Sequence, residues 1–121
     1  MRLRKAARQD TNHGEIAHAL ELRGVRVVNL ARLGRGVPDL LCGFGQLTAL
    51  MEVKMPQPTF ARGTTKGGKR GEKRVLTPDQ LDPHHGFTED ERYFHATWPG
   101  QPIFTVRTIA EALAVFGLEP A

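Results

Sequence analysis

Asp39 and the triplet Glu52-Val53-Lys54 are residues whose types and spacing could do chemistry. Side chains alternate between the faces of a strand, so a strand over 47–54 sets Glu52 and Lys54 on one face and Ala49, Met51 and Val53 on the other. A core strand would stay apolar there, and two charges at its end cost desolvation energy unless they are paired or bind something. Hydrolysis of a phosphodiester needs a deprotonated water, neutralised charge on the nonbridging oxygens and a stabilised leaving oxygen. Two carboxylates, Asp39 and Glu52, sharing Mg²⁺ or Mn²⁺ address all three, because hard cations take oxygen ligands. A lysine beside them, Lys54, can orient the water and offset charge. Each part alone is commonplace. Glu-x-Lys is often a surface ion pair worth at most about 1 kcal/mol, and Pro38-Asp39 is often only a turn. Carried together on two apolar strands joined by a short reversal, they favour a nuclease.

The elements that must position these residues are legible in outline. Asp10, Thr11 and Asn12 are capping types, and a helix is expected over 12–23. Ile16, Ala19, Leu20 and Arg23 share one side of it, and Gly24 stops it. Glu15, with Ala19 and Leu22, edges that stripe and could point inward toward the strands. A β-branched strand follows over 25–30, a turn over 34–38, and a second strand opening at Asp39 and running to Phe44. Gly45-Gln46 reverses the chain into the strand over 47–54, the most apolar and the one expected to be central. Residues 55–75 read as a mobile basic loop. Pro56, Pro58, Gly63, Gly67, Gly68 and Gly71 break regular structure. Arg62, Lys66, Lys69, Arg70, Lys73 and Arg74 oppose only Glu72 there, and beside an active site they would contact phosphate. Leu76-Thr77-Pro78-Asp79-Gln80 looks like a helix start, broken by 81–86. A helix over 88–97, a turn at Pro99-Gly100, a strand over 102–107 and a helix over 109–116 capped near Thr108 complete the order α-β-β-β-α-β-α. That is an α/β (α+β) fold: a small mixed sheet flanked by helices.

The chain has 121 residues, which fits one domain over 1–121, and a formal net charge of +4. A basic domain suggests a polyanionic partner, nucleic acid first. A single cysteine, Cys42, excludes an intrachain disulfide and is read as a buried thiol. No apolar run approaches the ~20 residues that span a membrane. Residues 1–10 read as a basic arm rather than a secretory signal, so a cytoplasmic protein is expected.

Gly36-Val37-Pro38-Asp39-Leu40-Leu41, Met51-Glu52-Val53-Lys54 and Leu76-Thr77-Pro78-Asp79-Gln80 together resemble the VRR-NUC family of the PD-(D/E)XK nuclease superfamily. Asp10-Thr11-Asn12-His13-Gly14-Glu15-Ile16 resembles the family's first helix, which carries a glutamate, and Trp98-Pro99-Gly100 with the strand and helix after it also fits. The resemblance covers about residues 8–118. It implies a restriction-endonuclease-like PD-(D/E)XK core. Asp39 and Glu52 would ligate the metal with the Val53 carbonyl, and Glu15 would bind it directly or through water. Lys54 would position the nucleophilic water, and Gln80 would orient Lys54 or that water. Stand-alone members similar to this chain are phage or bacterial homodimers that cut branched DNA such as four-way (Holliday) junctions, with no small-molecule cofactor; the family also occurs within larger repair nucleases. This implies a cytoplasmic site of action in a bacterial or phage-infected cell. One departure stands out. Residues 81–91 look like an insertion, so either Gln80 or Glu91 fills the last motif position; the match of residues 76–80 favours Gln80.

Other residues are read more plainly. His84 and His85 belong to a solvated loop, and His13 and His18 are too far apart to ligate jointly. Trp98 is expected as a hydrophobic anchor rather than a base-stacking ring. Arg32 and Arg35 flank the Pro-Asp turn and could touch phosphate, Arg35 being carried forward as a DNA contact. Ala110, Leu113, Ala114 and Phe116 suit either the core or a dimer contact. The expected function is a divalent-metal-dependent, structure-selective endodeoxyribonuclease. The alternative is a noncatalytic DNA-binding module on the same scaffold, against which the full set of carboxylates and the lysine argues.

Overall fold

The computed structural model describes residues 12–57, 60–64, 70–75 and 81–120. The basic arm and the helix start expected over 76–80 lie outside them.

Helix α1 spans His13–Leu22 and ends at Gly24, whose φ is 88°. Asn12 occupies its N-cap without a side-chain cap bond. The Asn12 amide instead donates to the carbonyls of Lys54 at 3.0 Å and Arg107 at 3.1 Å, fastening the helix entry to the ends of two strands. That tie sets the helix phase. His13, Ile16 and Leu20 turn inward, at spacings of three and four residues. Arg23, expected on the buried side, is past the helix end and exposed, and Glu15 is exposed as well.

Strand β1 is Arg26–Asn29, followed by a 3-10 turn at Ala31–Leu33; β2 is Leu40–Phe44 and β3 is Leu47–Val53. The segment read as a loop instead contains two strands, β4 Phe60–Thr64 and β5 Arg70–Val75, paired antiparallel as their own two-stranded sheet. Backbone pairing of Phe60 with Val75, both strand-favouring types, was hidden in the sequence by the surrounding glycines and prolines. Helix α2 follows at Glu89–Thr97, then β6 at Phe104–Val106 and α3 at Ile109–Ala114. Thr88 closes a capping box with Glu91 at the start of α2, and the Thr108 hydroxyl accepts from the Glu111 N–H at the start of α3.

The main sheet runs β1-β2-β3-β6, antiparallel except for the parallel pair β3–β6, so β3 lies inside a mixed sheet. The fold is therefore a small α+β one, a mixed sheet flanked by helices in the expected order with the β4–β5 hairpin added. On one face Leu40, Cys42, Ala49, Met51, Val53 and Val106 pack with Ile16 and Leu20 of α1 and with Ala112, Leu113 and Phe116 at the C-terminal end. Each large apolar side chain fully buried there contributes about 1.5–3 kcal/mol. Cys42 is among them, and burial pushes its thiol up to about 11. Alternation along β3 then forces Glu52 onto the opposite face, where α2 meets it.

Candidate active site

Register brings the two carboxylates together. Leu40 pairs with Met51 in the antiparallel β2–β3 ladder, so one step outward Asp39 stands across from Glu52. Asp39 is locked there, because its Oδ2 accepts the Val53 N–H at 2.8 Å. Glu52 is fully buried, and neither of its carboxylate oxygens has a hydrogen-bond partner. Its acidity reflects this. Burial first, then the Asp39 carboxyl alongside and the Glu91 charge, push Glu52 up to about 11, against a smaller opposing pull from Lys54. Asp39 exerts that push although no well-formed hydrogen bond joins the two carboxyls.

Lys54 follows β3 on the Glu52 face and is also buried. Its Nζ donates to both oxygens of Glu91, at 2.8 and 3.0 Å, and lies 5.4 Å from the Phe87 ring centre. Glu91 thus serves twice, pairing Lys54 while accepting the Thr88 N–H of the capping box at 2.8 Å. Burial works against its charge, but the hydrogen bonds from Lys54 and from the Thr88 backbone outweigh it and hold its pKa below the usual value. One turn along α2, His95 puts Nε2 3.5 Å from Glu52 Oε1, and that nitrogen is also buried without a hydrogen-bond partner. Burial and the nearby His84 lower the His95 pKa. The lowered His95 pKa and the raised Glu52 pKa both work against an ion pair at this contact.

A cleft of ≈ 360 Å³ opens beside this cluster, with Asp39, Lys54, Glu91, Arg35 and Thr88 in its wall. Arg107 ties the chain after β3 to the 83–85 loop, donating to the carbonyls of Met55 and His85 at 2.9 Å and of Pro83 at 3.3 Å. Compared with models of known protein families, with curated proteins and with solved structures, the chain matches none.

The structure thus brings together Asp39, Glu52 and Lys54, with Val53 between them, and sets Arg35 in the same cleft. Glu15 remains exposed on α1. Gln80 lies outside the described residues, as do Lys66 and Lys69; the residue that holds Lys54 is Glu91. Arg62, Arg70, Lys73 and Arg74 fall on the hairpin strands, where Arg62 pairs with Lys73 across the ladder. His84 and His85 are exposed, as expected, and Trp98 stacks on Phe94 at 5.2 Å while remaining 42% exposed. His95 was missed in the sequence. Its signal was the four-residue spacing from Glu91, which sets both on one face of a helix.

Among the described residues no group of three or more His, Cys, Asp or Glu is disposed to hold a metal ion. A two-carboxylate donor set nevertheless fits a hard cation. Mg²⁺ keeps several waters and is commonly bound by one or two carboxylates plus substrate oxygens. Glu52 supplies the buried, unpartnered oxygens that such an ion would satisfy.

Proposed function

We propose that this chain is a divalent-metal-dependent DNA endonuclease of the PD-(D/E)XK type, acting as a homodimer on branched DNA such as four-way junctions. The observation that carries the reading is the buried, unpartnered carboxyl of Glu52 behind Asp39, with Asp39 and Lys54 in the wall of the adjoining cleft. Asp39 and Glu52, with the Val53 carbonyl, would hold Mg²⁺ or Mn²⁺. Such an ion, when bound, makes water acidic enough to attack near neutral pH and neutralises charge on the phosphate oxygens.

The chain's own residues do the positioning. The Val53 N–H fixes the rotamer of Asp39, and the sheet register fixes Glu52 opposite it. Glu91 holds the Lys54 ammonium in place, so that its charge stands ready at the cleft without reorganisation. Basic residues of the β4–β5 hairpin would contact phosphates along the duplex. The preference for branched DNA and the homodimer follow from the family resemblance, since a two-fold dimer presents two sites to a two-fold branched substrate.

The test is cleavage of end-labelled four-way junction, flap and linear duplex DNA in Mg²⁺, Mn²⁺ or chelator. The wild type is expected to cut the junction only with metal, and Asp39→Asn and Glu52→Gln each to lose most turnover while keeping the fold by circular dichroism. Turnover at the wild-type rate in either variant would sink the assignment. Tight junction binding without cutting in any metal would make the chain a noncatalytic DNA-binding module.

A further inference from the structure

Arg35 occupies an unusual backbone position. Gly34, Arg35 and Gly36 follow one another with φ of 65°, 55° and 78°. Glycine enters this left-handed region freely, whereas a side chain with a Cβ is strained there. The middle residue is nonetheless arginine. Its neighbour Gly36 is wedged so closely against the first turn of α2 that an added Cβ would overlap the Asp90 carbonyl. Gly36 is thereby held against α2, which limits how far the chain after Arg35 can shift to relax it. Strain of this kind persists where surrounding structure over-determines it, and it concentrates at binding and active sites.

The charge inventory of the cleft gives the strained residue a task. Its wall carries Asp39, Asp90 and Glu91 against Lys54 and Arg35. Lys54 is engaged by both oxygens of Glu91. Arg35 is exposed and, among the described residues, has no hydrogen-bond or ion-pair partner. Among the described residues it is thus the unpaired cation of the cleft wall, on the loop that leads straight into Asp39. A guanidinium offers a planar fork of donors that matches two phosphate oxygens, and it stays charged at any working pH.

We propose that Arg35 is the anion clamp of this cleft, gripping a backbone phosphate of the nucleic-acid strand laid across Asp39, and that its strained backbone is retained for this contact at the expense of fold stability. The proposal rests on the nuclease reading of the cleft but is tested separately from it, because the clamp is read by binding and stability without any cleavage.

The experiment uses the full chain with Arg35→Gly, Arg35→Ala and Arg35→Lys. Thermal unfolding is expected to show Arg35→Gly melting higher than the wild type by about 1–4 °C, the strain having been relieved. Fluorescence anisotropy with a labelled four-way junction in chelator is expected to show Arg35→Gly and Arg35→Ala binding about tenfold more weakly. Their log Kd against log salt should lose about one unit of slope. Arg35→Lys should recover part of the affinity, keeping the charge but not the fork. A residue that merely shaped the loop would instead lower the melting temperature and leave the salt slope alone. Unchanged affinity and slope in Arg35→Gly, with a wild type that binds the junction, would overturn the clamp alone. A wild type that binds neither junction nor duplex would overturn both the clamp and the nuclease reading. A wild type that binds without cutting, with Arg35→Gly binding weakly, would support the clamp and remove the nuclease.

Discussion

Lys54 and Glu91 show how one contact decides the state of the whole site. Both side chains are largely withdrawn from water, at 10% and 14% exposure. Removing one partner of such a pair leaves a charge without compensation, which commonly costs about 3 kcal/mol. Glu91→Ala is therefore expected to lower the melting temperature by several degrees, since it also removes the acceptor for the Thr88 N–H. Glu91→Gln keeps an acceptor for each of those donors and should fall between Glu91→Ala and the wild type, in stability and in turnover. Parallel melting curves and single-turnover cleavage of the two variants check the ordering. Wild-type stability in Glu91→Ala would mean that the pair does not hold Lys54. The sequence favours Gln80 over Glu91 for the last motif position, and its spacing gives no sign of the Lys54–Glu91 pair, because adjacency to a familiar motif says nothing of which side chain a helix carries back to the lysine.

At the scale of elements, α2 is the piece that completes the site, and the loop before Asp39 sets where it lies. Gly36 touches the backbone of Asp90 and Glu91 with no room for a side chain, at a φ that disfavours one. Gly36→Ala should push the first turn of α2 outward, taking Glu91 away from Lys54. A loss of about 3 kcal/mol or more in unfolding free energy is expected from overlap with backbone that cannot swing aside, with turnover falling more steeply than in the conservative Glu91→Gln. Denaturant titration beside the cleavage assay measures both, and a near-neutral Gly36→Ala would show that the loop and helix are not rigidly wedged. The helix-start pattern at 87–91, a repeat of the one at 76–80, made this helix readable in advance; the Thr88–Glu91 capping box is what the structure adds. The β4–β5 hairpin was not, because its strands are short and interleaved with glycine and lysine, and only backbone pairing across the reversal reveals them.

For the molecule as a whole, the two faces of the sheet serve different ends. One is an apolar core beneath α1 and α3; the other buries Glu52, whose carboxyl oxygens lack hydrogen bonds, beside Asp39. A ligand that binds only the folded state stabilises it, by about 2.7 kcal/mol at a hundredfold excess over Kd. Mn²⁺ should accordingly raise the melting temperature of the wild type, with no such rise in Glu52→Gln. Differential scanning calorimetry with and without Mn²⁺ checks this apart from any substrate, and an equal rise in both proteins would place the cation elsewhere.

Periodicity and residue type alone established the order of the main-sheet strands and their helices, the interior position of the 47–54 strand, and the sharing of one face by Glu52 and Lys54. These are local facts, set by the two-residue repeat of a strand and the capping chemistry of a helix. What stands beside those residues was decided only by tertiary structure. Register put Asp39 across from Glu52, and the docking of α2 brought in Glu91 and His95. The fastening of Asn12 to the carbonyls of Lys54 and Arg107 chose the phase of α1, leaving Glu15 in solvent. Such partners are separated by tens of residues, and their meeting depends on how whole elements pack rather than on any spacing along the chain.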